Sequence, residues 1–202
     1  MLARPLGVSS PPLPPLLVTG AFFVLRLTPH HKYGLIPPVE TDAYIALGSN
    51  LGDRELNLLR AVAELGKIPD SRVTALSRFY ETSPVGMPAG TPSFYNGVAR
   101  LTTARTPHDL LAELQRIERD IFGRTPAAEP QSRRLDLDLL LYGTEQLATP
   151  NLTLPHPRMT ARRFVLLPLA DIAPTLREPV SRQTIAELLS GLTTDEQVRL
   201  LE

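Results

Sequence analysis

Residues 135–139 alternate strictly between leucine and aspartate, and no other feature constrains the fold of this chain as strongly. A period of two predicts a β-strand, because successive side chains of a strand point to opposite faces of its sheet. We therefore expect the leucines to pack against helices, and Asp136 and Asp138 to project together from the other face. At a rise of about 3.3 Å per residue, the backbones of the two aspartates lie roughly 6.6 Å apart.

The segments before this strand predict three more strands and a first helix. Leu56, Leu59 and Ala63 recur at helical spacing, and the helix is expected to stop near Gly66. Short apolar, β-branched or aromatic runs are typical of strands. Such runs predict strands at residues 43–47, 73–80, 94–101 and 135–142. Residues 82–92 hold three prolines and two glycines, which predicts an irregular loop of the kind that carries function.

A second helix has the clearest local signals in the chain. Thr106 is a typical capping residue, Pro107 suits the first helical position, and Asp109 adds an acid to the first turn. Apolar residues then recur every three or four positions, at Leu110, Leu114, Ile117 and Ile121. Gly123 is expected to end this helix.

The predicted elements follow the order strand, helix, strand, strand, helix, strand. This order is typical of an α+β, ferredoxin-like split βαβ sandwich, with a mainly antiparallel sheet and two helices packed on one face. A further helix is expected at residues 184–189, where Thr184 and Glu187 form a capping-box pair. The fold does not decide the function, because enzymes, regulatory ligand-binding modules and RNA binders share it.

Residues 1–40 differ in composition from the rest of the chain. A proline-rich run at 11–15 precedes an apolar stretch at 16–27. That stretch is shorter than the about 20 apolar residues that cross a bilayer, and no small-residue cleavage pattern follows it. We expect a disordered or loosely packed extension over 1–40, with a docked arm and a targeting segment as alternatives, and one folded domain over 41–202.

The balance of charges bounds the class of partner. The 202 residues include 21 basic and 21 acidic side chains, whereas a general nucleic-acid binder carries a basic excess. There are no cysteines, so disulfides and thiolate metal sites are excluded, which fits a reducing cytoplasm. We expect a cytoplasmic monomer that binds small molecules and neither nucleic acid nor membrane.

The two aspartates are accompanied by arginines. Arg133 and Arg134 stand directly before the predicted strand, and Arg124 follows the glycine that ends the second helix. Carboxylates this close can hold one divalent cation or flank two, and magnesium prefers such oxygen ligands together with substrate phosphates. Guanidinium groups match phosphate oxygens, so the combination indicates phosphoryl transfer. The alternative is a solvated face of a strand.

Several separated motifs carry a more specific signal. They lie at residues 46–53, 79–86, 94–96, 115–118, 133–140, 155–159 and 162–166. In this order the motifs resemble those of the 6-hydroxymethyl-7,8-dihydropterin pyrophosphokinase family, and the resemblance covers residues 42–175. It implies transfer of the β,γ-pyrophosphoryl unit of ATP to the hydroxymethyl group of a dihydropterin, with release of AMP, in folate biosynthesis.

The resemblance also implies a role for individual residues. Asp136 and Asp138 would bind two magnesium ions, and Arg124 and Arg133 would act in catalysis. The pterin would contact Thr82, Ser83, Val85, Phe94, Asn96 and Phe164, with the two phenylalanines on either side of its ring. ATP would contact Gln115, Glu118, Arg133, Leu139, Leu152, Thr153, His156 and Arg162, with Leu139, Leu152 and Thr153 near its adenine.

The chain departs from the family pattern in one loop. Pro126 stands where the family usually has a second arginine, and residues 129–133 lack the usual tryptophan. In the family this loop closes over ATP, so its closure is expected to be weaker or differently built here. A ligand-binding module without catalysis is therefore one alternative function, and an RNA-binding domain on the same type of sheet is another.

Overall fold

The sheet of this protein is antiparallel and runs in the order β5–β1–β4–β3–β8, with β2 also paired to β4. The computed structural model describes residues 39–84, 88, 90–124 and 132–202. The strands are β1 (Thr41–Ser49), β2 (Ser71–Leu76), β3 (Tyr80–Thr82), β4 (Phe94–Thr103), β5 (Asp136–Tyr142), β6 (Leu147–Ala148), β7 (Thr153–Leu154) and β8 (Val198–Leu200). The helices are α1 (Arg54–Leu65), α2 (Pro107–Arg116), α3 (Arg163–Ile172) and α4 (Ile185–Gly191). The expected α+β fold is confirmed.

The strands alternate between two cores, one on each face of the sheet. Ile45 and Leu47 of β1 belong to the larger core, which α1 and α2 cover. Tyr44 of β1 and Val98 of β4 belong to a second core, which includes Val165 and Leu169 of α3. α3 and the packing of helices on this second face were not predicted, and they matter because Asp136 and Asp138 lie on the same face of the sheet.

The helix expected to stop near Gly66 is confirmed as α1, but the leucines that marked its spacing are not the buried ones. Leu56 and Leu59 of α1 are 59% and 49% exposed, and the helix instead buries Leu58, Ala61 and Leu65. Both sets of residues satisfy helical spacing, so only packing against the sheet decides which set is buried.

The strand expected at 73–80 is divided into β2 and β3, which both pair with β4. Leu76 pairs with Ala99 and Tyr80 with Asn96, so three residues on one side oppose two on the other. The extra residue interrupts the pairing in the manner of a bulge.

The capping signals at the helix ends are confirmed. Thr106 accepts a hydrogen bond from the N–H of Asp109, and Pro107 is the first residue of α2. Thr184 and Glu187 form the expected capping box of α4. None of the helices in the described part of the chain has the length and apolarity that crossing a membrane requires. The extension expected over residues 1–40 lies almost wholly outside the described residues.

Candidate active site

Asp136 and Asp138 project from the same face of β5. Leu137, which lies between them, and Leu139, which follows Asp138, are only 5% and 3% exposed and belong to the core under α1 and α2. The two aspartate side chains are 24% and 37% exposed. The predicted alternation is therefore confirmed, and both carboxylates remain accessible on the face opposite the leucines.

Two arginines converge on the first of these carboxylates. Nη1 of Arg133 lies 2.9 Å from Oδ1 of Asp136, and Nη1 of Arg124 lies 3.2 Å from the same oxygen. Burial and the neighbouring Asp138 nevertheless raise the pKa of Asp136 above its ordinary value. Nε of Arg133 is buried and finds no hydrogen-bond partner among the described residues. The arginines expected to bind phosphate thus lie beside the expected metal ligands.

Glu118 has a different environment from the one that an ATP-facing role suggests. Its carboxylate accepts a hydrogen bond from the N–H of Leu137 at 2.8 Å and forms an ion pair with Arg124. Glu118 is only 4% exposed. Burial raises the pKa of Glu118 to about 7. Gln115, one turn earlier, is exposed. Glu118 therefore lies behind β5, where it holds the backbone between the two aspartates.

A π-helical turn at Ile117–Ile121 places Glu118 in this position. The wider turn lets Ile117 and Glu118 both face the interior, and Gly123 then leaves the helix with a φ of 67°. π-Helical turns often occur at functional sites, because they re-aim a side chain within an otherwise regular helix. The spacing of the apolar residues, which fits a regular α-helix, did not predict this turn.

Asn50 belongs to the site although sequence reasoning gave it no role. Its Oδ1 accepts the N–H of Arg133 at 2.7 Å, and its own N–H donates to the carbonyl of Arg133 at 3.0 Å. Its Nδ2 donates to Oγ of Ser132 at 3.0 Å, and Asn50 itself is 2% exposed. Asn50 thus fixes the backbone that carries Arg133. A buried asparagine directly after a strand was the available signal, since buried amides require partners.

Two of the expected pterin-binding residues, Asn96 and Thr82, lie on β4 and β3, which follow β1 in the sheet order from β5. Nδ2 of Asn96 donates to Oγ1 of Thr82 at 2.7 Å, and the two residues are 7% and 4% exposed. Gly48 pairs in register with both Asp136 and Asn96, so these three residues form one row across β5, β1 and β4. A Cβ atom on Gly48 would lie 3.1 Å from Oδ1 of Asn96 and 3.8 Å from Cβ of Asp136. Gly48 therefore leaves a gap between the amide and the carboxylate.

The expected aromatic contacts of the pterin lie at the starts of two elements. Phe94 is the first residue of β4 and Phe164 the second residue of α3, and both are half-buried. The guanidinium group of Arg162 lies 5.3 Å from the centroid of the Phe164 ring. Ser83 is exposed beyond the end of β3, whereas Val85 lies outside the described residues.

A pocket of about 280 Å³ runs along β5, the edge strand of the sheet. It is lined by Leu111, Leu137, Asp138, Leu139, Thr149, Pro150, Asn151, Leu152, Thr153, His156 and Pro157. Leu139, Leu152, Thr153 and His156, all expected to contact ATP, are thus brought together with Asp138. Gln115 is not among the lining residues.

His156 and Arg162 add nitrogen donors next to this pocket. Nδ1 of His156 accepts the N–H of Arg158 at 3.2 Å, which leaves the hydrogen of the neutral ring on Nε2, 4.0 Å from Oδ2 of Asp138. Burial lowers the pKa of His156 below its ordinary value. Burial, with the nearby Arg158, also lowers the pKa of Arg162. Both side chains are oriented towards a region that already holds two carboxylates and two further arginines.

Paired carboxylates, several arginines and a pocket at the sheet edge, on a ferredoxin-like sheet, define a class of enzymes that act on nucleotide polyphosphates. A family model described as 7,8-dihydro-6-hydroxymethylpterin-pyrophosphokinase (HPPK) matches residues 44–174. The chain belongs to this family.

Relatives in bacteria support the assignment. The 2-amino-4-hydroxy-6-hydroxymethyldihydropteridine pyrophosphokinase of Pseudomonas aeruginosa is 46% identical over 148 residues, which cover 73% of this chain and 90% of the relative. The Bacillus subtilis protein of the same name is 44% identical over 158 residues, which cover 78% of this chain and 89% of the relative.

Solved structures share the fold. A crystal structure of HPPK-DHPS in complex with substrates matches 75% of this chain with a TM-score of 0.60 and 13% identity. Plasmodium falciparum HPPK-DHPS matches the same share with a TM-score of 0.59 and 16% identity. This chain spans 43% and 44% of those two chains, so the likeness concerns one part of each.

Proposed function

We propose that this chain transfers the pyrophosphoryl group of ATP to the hydroxymethyl group of 6-hydroxymethyl-7,8-dihydropterin and releases AMP, with Asp136 and Asp138 holding two magnesium ions. Membership of the pyrophosphokinase family supports the reaction. The observation that carries the assignment of the site is the row Asp136–Gly48–Asn96 across three neighbouring strands. This row sets a carboxylate for metal beside an amide for pterin, with only the gap over Gly48 between them.

The donor set fits magnesium. Two accessible carboxylates on one strand face supply hard oxygen ligands. Among the described residues, no group of three or more acidic or histidine side chains forms a complete cage. Magnesium commonly takes only one or two carboxylates and completes its shell with water and substrate phosphates. When bound, the ions would neutralise phosphate charge and bring the polyphosphate to Asp136 and Asp138.

The nucleotide would occupy the pocket along β5. Leu139 and Leu152 offer apolar surface to the adenine, while Asp138 and His156 lie at the same pocket. Because Arg158 fixes the tautomer of His156, the Nε2–H of that ring can donate to a phosphate oxygen. Arg162 would meet the same polyphosphate as a permanent cation, since a guanidinium group remains charged even when burial lowers its pKa.

Arg124 and Arg133 would stabilise the charge that develops on the transferred group. Both guanidinium groups converge on Asp136, so their remaining N–H donors lie next to the expected position of the polyphosphate. Glu118 would support them indirectly, since it pairs with Arg124 and binds the backbone of β5. Preorganised donors of this kind contribute strongly to phosphoryl transfer, whose catalysis is mainly positioning and charge stabilisation.

The pterin would bind at the other end of the row. Asn96 and Thr82 are buried, hydrogen-bonded to each other, and able to offer further donors and acceptors to the edge of a heteroaromatic ring. Phe94 and Phe164 would pack on its faces. The hydroxymethyl group would then lie over Gly48, close to the polyphosphate. All proposed contacts come from one chain, so we propose that a monomer is active.

Replacement of the metal ligands tests this proposal. Asp136→Ala or Asp138→Ala is expected to reduce magnesium-dependent AMP release by a factor of roughly 10³ or more, since metal clamps contribute several kcal/mol. Folding should survive, because both side chains are partly exposed and belong to neither core. The exposed Asp120, whose ion pair among the described residues is with its neighbour Arg119, provides the control Asp120→Ala. Near-normal turnover in either site variant, or no AMP release by the unmodified chain, would contradict the proposal.

A further inference from the structure

The C-terminal residues 196–200 lie beyond the 44–174 segment that the family model matches. They nevertheless contact the backbone at Phe164 directly, and they reach the residue before Phe94 through Glu81. Glu196 binds the start of α3, where Phe164 lies, and Arg199 binds Glu81, which is tied to Ser93 immediately before Phe94. Neither the packing of the two cores nor the proposed metal site accounts for these two contacts.

Glu196 is the capping residue that α3 lacks locally. One carboxylate oxygen of Glu196 accepts the N–H of Arg163 at 2.7 Å and the N–H of Phe164 at 3.3 Å. Arg162 at the N-cap position offers no side-chain hydrogen bond, and the first turn of α3 contains no acid. The first amides of a helix need acceptors, and its amino end favours negative charge. Glu196 supplies both, so it fixes the backbone at Phe164.

β8 continues this contact along β3, the strand that ends at Thr82. Val198 pairs with Thr82 and Arg199 with Glu81 in antiparallel register. The N–H of Ser83 donates to the carbonyl of Gln197 at 3.4 Å. The end of β3, which presents Thr82 to Asn96, is therefore held from its outer edge by the C-terminal strand.

A polar cluster connects the same strand to the second phenylalanine. Nη2 of Arg199 lies 2.5 Å from Oε2 of Glu81. Oε1 of Glu81 accepts the hydroxyl of Ser93 at 2.6 Å and lies 3.2 Å from Nη1 of Arg54. Arg54 also donates to the carbonyl of Ser93 at 2.8 Å. The backbone entering Phe94 is thereby tied to β3 and, through Arg199, to β8.

We infer that the C-terminal segment Glu196–Arg199 is a positioning element for the pterin site, which sets the placement of Phe164 through Glu196 and of Phe94 through Arg199 and Glu81. The inference rests on the proposed function, since it takes the two phenylalanines as the faces of the pterin site. The ATP pocket lies along β5, at the opposite edge of the sheet from β8. Arg162, which we place at the polyphosphate, is the N-cap residue of α3 and adjoins this contact. The element therefore acts more strongly on the pterin than on ATP.

The test compares the KM and the binding constant for 6-hydroxymethyl-7,8-dihydropterin with those for ATP. Glu196→Ala is expected to weaken pterin binding by up to about fivefold, the change in affinity that corresponds to the whole stability contribution of a typical helix cap. The KM for ATP should rise less, by at most about twofold, because Arg162 is one of several ATP contacts and the pocket along β5 lies at the opposite edge of the sheet. Glu196→Gln keeps an acceptor oxygen and should restore most of the lost affinity. Asp195→Ala, at the exposed neighbouring carboxylate, is the matched control and should behave as the unmodified chain.

Four results are distinguishable. Selective loss of pterin affinity with rescue by glutamine supports the inference, whereas equal loss for both substrates marks Glu196 as merely structural and overturns it. Unchanged pterin affinity in Glu196→Ala, beside a loss in Phe164→Ala, overturns the inference but leaves the proposed function intact. Unchanged affinity in Phe164→Ala contradicts the pterin site itself. If Glu196→Ala does not fold, the exposed Arg199 provides a second variant. Arg199→Ala should show the same selective loss of pterin affinity.

Discussion

At the scale of single residues, the site depends on a position that has no side chain. Gly48 lies between Asn96 and Asp136 in one row of the sheet. Its requirement for glycine comes from space, since a Cβ atom there would lie 3.1 Å from the amide oxygen of Asn96. The signature around Gly48 was visible in the sequence, but the reason for the glycine required the register of three strands.

The substitution Gly48→Ala tests this reading. The added methyl group should displace the Asn96 amide by a few tenths of an ångström and fill part of the gap over the strand. We expect the KM for the pterin to rise about tenfold, as for a buried hydrogen bond weakened by about 1–2 kcal/mol, with a smaller change for ATP. Gly191→Ala, where a Cβ atom meets nothing within 4 Å, is the control. An unchanged pterin KM would show that the gap over Gly48 is not used.

At the scale of elements, β3 is stabilised by charges as well as by pairing. The hydrogen bond from Ser93, together with Arg199 and Arg54, lowers the pKa of Glu81 from 4.5 to about 2. Because the folded state favours the ionised form, this stabilisation is complete above pH 4.5 and is lost as the pH falls towards 2.

Glu81→Gln should therefore lower the free energy of unfolding by about 1–2 kcal/mol at pH 7, after allowance for solvent screening. The difference from the unmodified chain should shrink as the pH falls below about 4.5. Urea unfolding at several pH values measures both effects, with Glu145→Gln at an exposed glutamate outside the helices as control. A difference that stays constant with pH would mean that the carboxylate charge of Glu81 is not involved.

The elements also show which parts of the fold were predictable from sequence. β5, α2 and α4 carry their signals locally, as alternation, as Thr106 with Pro107, and as the Thr184–Glu187 box. α3 has no such signal. It contains Pro168, is apolar on several sides, and is capped by Glu196 from far along the chain.

The candidate site shows the same division between local and distant causes. The carboxylates of Asp136 and Asp138 could be assigned to one face because a strand has a period of two. The burial of Glu118 could not be predicted, because it depends on a π-helical turn and on a hydrogen bond to Leu137 from another element. The role of Asn50 depends likewise on residues 132–133, which are distant in sequence.

At the scale of the whole molecule, we propose that residues 41–202 are sufficient for catalysis. All the site residues described above lie within this range, and the family match covers 44–174. A chain restricted to 41–202 should keep the KM values and turnover of the full chain within about twofold, which corresponds to a free-energy change below about 0.5 kcal/mol. Loss of activity that returns when residues 1–40 are restored would assign those residues a part in the site.

The central claim is that Asp136 and Asp138 together hold the metal ions of a bound polyphosphate. Calorimetric titration of magnesium into the full chain, saturated with a non-hydrolysable ATP analogue, measures this most directly. The unmodified chain should bind about two ions, as in other two-metal sites, and Asp136→Asn with Asp138→Asn should weaken binding at least about 100-fold. Equal magnesium affinity and stoichiometry in the unmodified and doubly substituted chains would contradict the claim.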